Sequence, residues 1–232
     1  MELDLIAFDA DDTLWENEIY YQEGRRVFDR IMDRYQVPPN ERDRLDTLEV
    51  ENLQHYGYGA VGFAISMVEV GIQLTDGKMT SEEAGELLAV AKTIITTDVE
   101  LMPEAERVVS TLSNDYPLTL ITKGALVHQQ QKVERSGLAG YFQAVEIVAE
   151  KDQRTYQGIF DRIGVNPSAV LMVGNSIRSD IRPVLELGGS AVHLTSHPSW
   201  DFEDEDVSDL PSERFFQVEE LSGVLDLVQR LK

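Results

Sequence analysis

Cysteine is absent from the chain. That excludes a disulfide framework, a thiolate metal site and a cysteine nucleophile. Long apolar runs are absent as well: no stretch approaches the ~18 residues that a membrane span requires. The opening "MELDLIAFDADD" has no basic n-region and reaches acidic residues before any apolar run of signal length. A soluble protein of the cytoplasm is therefore expected. Basic residues are scarce, with 20 Lys and Arg against 42 Asp and Glu and a formal net charge of −22. A surface this acidic repels nucleic acid and anionic lipid, so neither is expected as a partner. It also repels phosphorylated metabolites, so binding one needs clustered Lys and Arg or a divalent metal that reverses the local sign.

What remains suits a globular enzyme-sized protein: 232 residues, 42% of them hydrophobic, enough for a large domain plus an insert. Short apolar, β-prone runs occur at Leu3–Phe8, Leu118–Ile121, Ala144–Val148, Ala169–Val173 and Ser190–Leu194. Their near-continuous apolar character predicts strands covered on both faces, as in a parallel sheet. Between the later runs lie helical patterns: "PEAERVVSTL" opening at Pro103, "ALVHQQQKVERSGL" ending at Gly137, and "TYQGIFDRIG" ending at Gly164. This alternation predicts a doubly wound, Rossmann-like α/β fold. After the first strand the pattern is helical only, over Glu16–Tyr35, Glu41–Tyr56, Gly59–Ile72 and Ser81–Thr96. Thr80 and Glu83 there have the spacing of a capping box. An excursion of roughly 80 residues exceeds a normal crossover, so residues 16–96 are expected to form an all-helical subdomain inserted into a core of residues 1–15 and 97–232.

In open α/β sheets, ligands sit beyond the carboxyl ends of the strands. Here the first strand delivers Asp9 and Asp11, the second Thr122, Lys123 and Gly124, the third Glu150 and Lys151, and the fourth Asn175 and Asp180. Carboxylates, a hydroxyl, an ammonium and an amide would converge on one edge. Acids gathered where a buried strand stops repel each other until a metal and a substrate bind among them.

Taken in order, "DADDT", "ITKG", a lone Lys and "VGNSIRSD" resemble the motifs of the haloacid dehalogenase (HAD) superfamily, over roughly residues 1–15 and 99–195. The insert falls where that family carries its helical C1-type cap. The resemblance implies a Mg2+-dependent phosphomonoester hydrolase acting on a small soluble phosphorylated metabolite. Asp9 would be the nucleophile, forming an aspartyl-phosphate, and Asp11 the general acid and base. Asp12 stands where the family often has Gly and is given no catalytic role; Thr13 would tie down the loop. Thr122 would hydrogen-bond the transferring phosphoryl group, with help from the Gly124 N–H and from Lys123. Lys151 would steady nucleophile and phosphoryl oxygens, although "EKDQRTY" lacks the Pro common after this lysine. The implied metal set is Asp9, Asp11, Asn175 and Asp180. Asn175 departs from the family's usual Asp: its amide oxygen suits Mg2+ but brings no charge. Asp11 argues against the dehalogenases, whose halide leaving group needs no proton. The insert's Lys78 and Lys92 have no motif around them that would suggest phosphonate chemistry. A phosphomutase, or a catalytically weak regulatory protein of the same fold, is the alternative.

Other patterns read as structure. "GYGAVG", Gly57 to Gly62, fits GxGxxG with Asp76 following, but polar "ENLQH" precedes it where a dinucleotide site needs a strand. It reads as a break between helices, with Tyr56, Tyr58 and Phe63 facing substrate or packing. His193 and His197 sit on a strand and the loop after it, a poor zinc pair. The acidic run Asp201–Asp209 reads as a solvated loop.

Overall fold

The computed structural model describes residues 3–196 and 200–231. The chain forms two compact units, one running to Glu18 and resuming at Val99, the other covering Ile19–Asp98. In chain order the elements are β1 (Leu5–Phe8), α1 (Glu18–Arg34), α2 (Pro39–Arg42), α3 (Arg44–Tyr56), α4 (Ala60–Leu74), α5 (Ser81–Thr96) and α6 (Ala105–Leu112). There follow β2 (Leu118–Lys123), α7 (Leu126–Arg135), β3 (Ala144–Val148), α8 (Gln153–Ile163), β4 (Val170–Gly174), α9 (Arg182–Glu186), β5 (Ser190–Leu194), β6 (Phe215–Val218) and α10 (Gly223–Leu231).

The strands form one sheet in the order β3-β2-β1-β4-β5-β6, with every pairing parallel. Both faces of β1 are covered, which is why the strand is apolar throughout. Ile6 and Phe8 pack with Leu112, Leu120, Val173 and Val224. Leu5 and Ala7 point the other way, onto Ile121, Met172, Tyr156 and Phe160. The expected strands are present with small shifts: β1 starts at Leu5, and β2 runs on to include Thr122 and Lys123. β6 was not foreseen, and α6 starts two residues after Pro103, with Glu104 in a left-handed conformation at φ 67°.

The helical unit has its own core. Phe28, Ile31 and Met32 of α1 pack with Leu45 and Leu48 of α3, Phe63, Met67 and Val70 of α4, and Leu87, Val90 and Ile94 of α5. Gly24 lets α1 come close, since a Cβ there would lie 2.6 Å from Val90 Cγ1 and 2.9 Å from Phe63. The capping box at Thr80 and Glu83 is formed, and Arg34 and the Tyr35 hydroxyl also bind Glu83. The expected helix Glu41–Tyr56 is broken at Asp43 into α2 and α3. "GYGAVG" is the turn between α3 and α4: Gly57 (φ 67°) ends the first helix and Gly59 (φ 127°) precedes the second. Phe63 is buried in this core, whereas Tyr56 is exposed. Among the described residues no helix is long and apolar enough to cross a membrane.

Candidate active site

The strand order reverses beside β1, so the crevice of this sheet opens between the carboxyl ends of β1 and β4. Asp9 follows β1 directly, its N–H donating to the Val173 carbonyl at 2.9 Å. On the other side, Asn175 and Asp180 follow β4 on a loop and a single π turn, Ile177–Ile181. That turn is closed by its own side chains: Ser176 N–H donates to Asp180 Oδ2 at 3.0 Å, and Ser179 N–H to Ser176 Oγ at 2.9 Å. Gly174 makes the approach possible, because a Cβ there would lie 2.5 Å from Cβ and Cγ of Asp180.

Lys151, from the loop after β3, lies between the two acids. Its Nζ donates to Asp9 Oδ1 and, at 2.7 Å, to Asp180 Oδ1, and all three side chains are buried. Burial lifts the Asp9 carboxyl to about 7, against the pull of Lys151 and with added repulsion from Asp180. Burial also works against the Lys151 charge, but Asp180 and Asp9 outweigh it and hold the ammonium well above its ordinary value. One ammonium facing two carboxylates leaves the group short of positive charge. Asn175 follows β4 one residue after Gly174: its Oδ1 accepts from the Thr13 hydroxyl at 3.3 Å, and its carbonyl oxygen is 3.0 Å from His193 Nε2. A carbonyl only accepts, so that ring nitrogen carries the proton. His197 lies outside the described residues.

Asp11 is turned to a different set of partners. Lys132 Nζ lies 2.7 Å from both of its oxygens, Trp15 Nε1 donates to Oδ1 at 2.6 Å, and Gln129 Nε2 donates to Oδ2 at 3.1 Å. Burial opposes its charge, but Lys132 leads the donors in keeping its pKa below the usual carboxylate value. Among the four expected metal ligands, then, Asp9 and Asp180 are brought together, Asn175 is nearby, and the Asp11 carboxylate is occupied by an ammonium. Among the described residues no three His, Cys, Asp or Glu side chains are grouped to hold a metal.

Asp12 takes the left-handed conformation at φ 59°, and its carboxylate accepts from the N–H groups of Asn17 and Glu18 as α1 begins. Burial nevertheless raises it to about 7. Glycine adopts that backbone without strain; here an aspartate does so and gains helix-entry hydrogen bonds.

Thr122 is buried, and its Oγ1 accepts from Gln129 Nε2 at 2.5 Å. The Gly124 N–H was expected to assist with phosphate, but it donates to the Val148 carbonyl at 3.2 Å, prolonging the β2–β3 ladder. Lys123 was likewise expected at the phosphate; its Nζ contacts Glu203 at 2.6 Å and Ser179 at 2.8 Å, with Glu150 at 3.7 Å. This corrects the reading of Asp201–Asp209 as a wholly solvated loop. Glu203 is buried and also accepts from Ser176 at 2.6 Å and from Ser179. Lys123 is the first of the donors that hold its pKa low despite burial. Phe202 anchors the same segment under Arg178, 4.1 Å from the ring centroid.

Trp15, Gln129, Lys132 and Glu203 were not anticipated. For the α7 pair a sequence signal existed, since Gln129 and Lys132 fall on the same helical face as His128 and Val133, all of them buried. Aromatic Trp200 and Phe202 inside an acidic run were the corresponding sign for Glu203.

The family described as haloacid dehalogenase-like hydrolases matches residues 3–188. A haloacid dehalogenase-like family hydrolase from Xanthomonas campestris superposes with a TM-score of 0.88 at 32% identity, over 99% of this chain and 96% of that one. N-acylneuraminate-9-phosphatase from Rattus norvegicus is 25% identical over 89% of this chain and 92% of its own. The pyrimidine 5'-nucleotidase YjjG of Escherichia coli is 27% identical over 85% and 88% respectively.

Proposed function

The chain belongs to the haloacid dehalogenase-like hydrolases and is a phosphatase among them; from that premise we propose that it hydrolyses a small soluble phosphate monoester through an aspartyl-phosphate on Asp9. The observation that carries this reading is the placement of Asp9 at the end of β1, held by the Lys151 that also holds Asp180, with a second acid retained at Asp11. In the first step an Asp9 oxygen bonds to phosphorus while the ester P–O bond breaks; for an alkyl ester Asp11 must first take up a proton against the pull of Lys132, and it passes that proton to the departing oxygen. In the second, water attacks phosphorus, its proton passes to Asp11, and the bond from Asp9 to phosphorus breaks. Lys151 holds the nucleophile and faces the phosphoryl oxygens as a point charge. Thr122 accepts from Gln129, which leaves its own O–H to donate to a phosphoryl oxygen.

Mg2+ fits this donor set. Asp9, Asp180 and the Asn175 amide offer hard oxygens, and two buried carboxylates sharing one ammonium lack the positive charge that a divalent cation brings. When bound, the metal would neutralise charge on nucleophile and phosphoryl oxygens. Asn175 in place of a carboxylate makes the site weaker in charge but complete in ligand type.

Phosphate release tests the proposal. The purified protein with Mg2+ is offered p-nitrophenyl phosphate and a panel of phosphorylated metabolites that includes sugar-acid phosphates and pyrimidine nucleotides. Turnover that disappears in Asp9→Asn is expected. No release from any member, or release that survives Asp9→Asn, would refute the assignment.

A further inference from the structure

Lys132 and Gln129 lie three residues apart on the buried face of α7, and between them they reach both sides of the proposed chemistry. Lys132 Nζ contacts both Asp11 oxygens at 2.7 Å and the Asn17 side-chain oxygen at 3.1 Å. Gln129 Nε2 is within reach of three acceptors: Asp11 Oδ2 at 3.1 Å, Thr122 Oγ1 at 2.5 Å and the Lys123 carbonyl at 3.2 Å. Trp15 Nε1 also donates to Asp11 Oδ1, at 2.6 Å. Both α7 residues are buried. Placing an ammonium and an amide there costs desolvation and side-chain entropy, and for α7 to pack, an apolar pair would serve as well.

We infer that Lys132 and Gln129 are positioning residues of the hydrolase, fixing the Asp11 carboxylate in one orientation and tying it to the Thr122 hydroxyl. The inference rests on the proposed roles of Asp11 and Thr122. Its consequence falls chiefly on the water step. There Asp11 must be a carboxylate directed at the attacking water, receiving its proton as the water oxygen bonds to phosphorus and the Asp9 oxygen leaves. Lys132 on both oxygens fixes the plane of that carboxylate, and Gln129 fixes its distance from the hydroxyl that faces the phosphoryl group. A carboxylate free to rotate meets the water in fewer productive geometries. The transfer to Asp9 depends less on this orientation when the leaving group is a nitrophenolate, which needs hardly any proton.

The test uses p-nitrophenyl phosphate with Mg2+ and two readouts: steady-state kinetics, and the fraction of enzyme carrying an acid-stable phosphoryl group after quenching. Lys132→Met is expected to lower kcat roughly ten- to a hundredfold with little change in KM, and to raise the trapped fraction above wild type. Lys132→Arg, which keeps the charge and two donors, should recover much of the rate. Gln129→Leu removes the tie without removing a charge, so it carries the test even if Lys132→Met does not fold. It should also raise the trapped fraction, by less. Wild-type kcat in Lys132→Met and Gln129→Leu, or a slower rate with an unchanged trapped fraction, would overturn the inference. Asp11→Asn is run alongside. If it hydrolyses the substrate with nothing trapped, the roles given to Asp9 and Asp11 fail first; if it traps phosphoenzyme while the α7 variants do not, only the positioning role fails.

Discussion

Between Asp9 and Asp180 lies the buried ammonium of Lys151, which pairs with both carboxylates. Lys151→Met leaves two carboxylates in a poorly solvated place, and a broken buried pair typically costs about 3–5 kcal/mol. The variant should unfold at clearly lower urea concentration than wild type, and it should lose turnover even where it is folded. Equal urea midpoints would mean that water reaches these acids freely. Asn175 lies beside the same group without charge, so Asn175→Asp adds a third carboxylate. The expected result is tighter Mg2+ binding without substrate, by roughly 5–30-fold, read by calorimetric titration at one pH and salt concentration. Unchanged or weaker binding would remove Asn175 from the metal set. Most of these residues were legible because motif spacing places them at strand ends. Lys132 and Glu203 were not, since a helical period tells which face is buried but not which acid lies opposite, and an acidic run does not say which of its members turns inward.

Among the elements, α3 carries a carboxylate that works against the fold. Glu49 is raised to about 7 from the usual 4.5 by burial and by the repulsion of Asp46, with Arg25 opposing. The folded chain therefore holds this proton more tightly than the unfolded chain. Its ionisation costs stability progressively as pH rises from about 4.5 to about 7, with the full cost present above that window. Glu49→Gln should thus melt a few degrees higher than wild type at pH 8 and at the same temperature near pH 4.5, corresponding to about 1–2 kcal/mol once the partial exposure of the group is allowed for. A stabilisation independent of pH would assign the effect to packing alone. The helices and buried strands were readable because apolar period and end signals agreed, as at Thr80 and Gly164. β6 was not: in "SERFFQVEE" an apolar pair sits among charges, and as an edge strand it is only partly buried. Nor was the π turn, which depends on hydrogen bonds from Ser176 and Asp180 that only the folded loop brings together.

At the scale of the whole molecule the chain is strongly acidic, net −22, whereas the proposed reaction needs a site that accepts a phosphate dianion. The proposed answer is Lys151, which the sheet brings to Asp9 and Asp180 at the point where its strand order reverses. The parallel, doubly wound sheet follows from the alternation of buried strands and helices, and the long helical excursion after β1 forms a compact unit of its own. All of this serves one proposed event, transfer of a phosphoryl group to Asp9. The most direct measurement is peptide mass spectrometry of the Asp11→Asn protein, quenched in acid during turnover of p-nitrophenyl phosphate with Mg2+. The mechanism requires one phosphoryl group on the peptide containing Asp9, absent when Asp9→Asn is added. Continued hydrolysis with that peptide unmodified, or with the phosphoryl group on another residue, would contradict it.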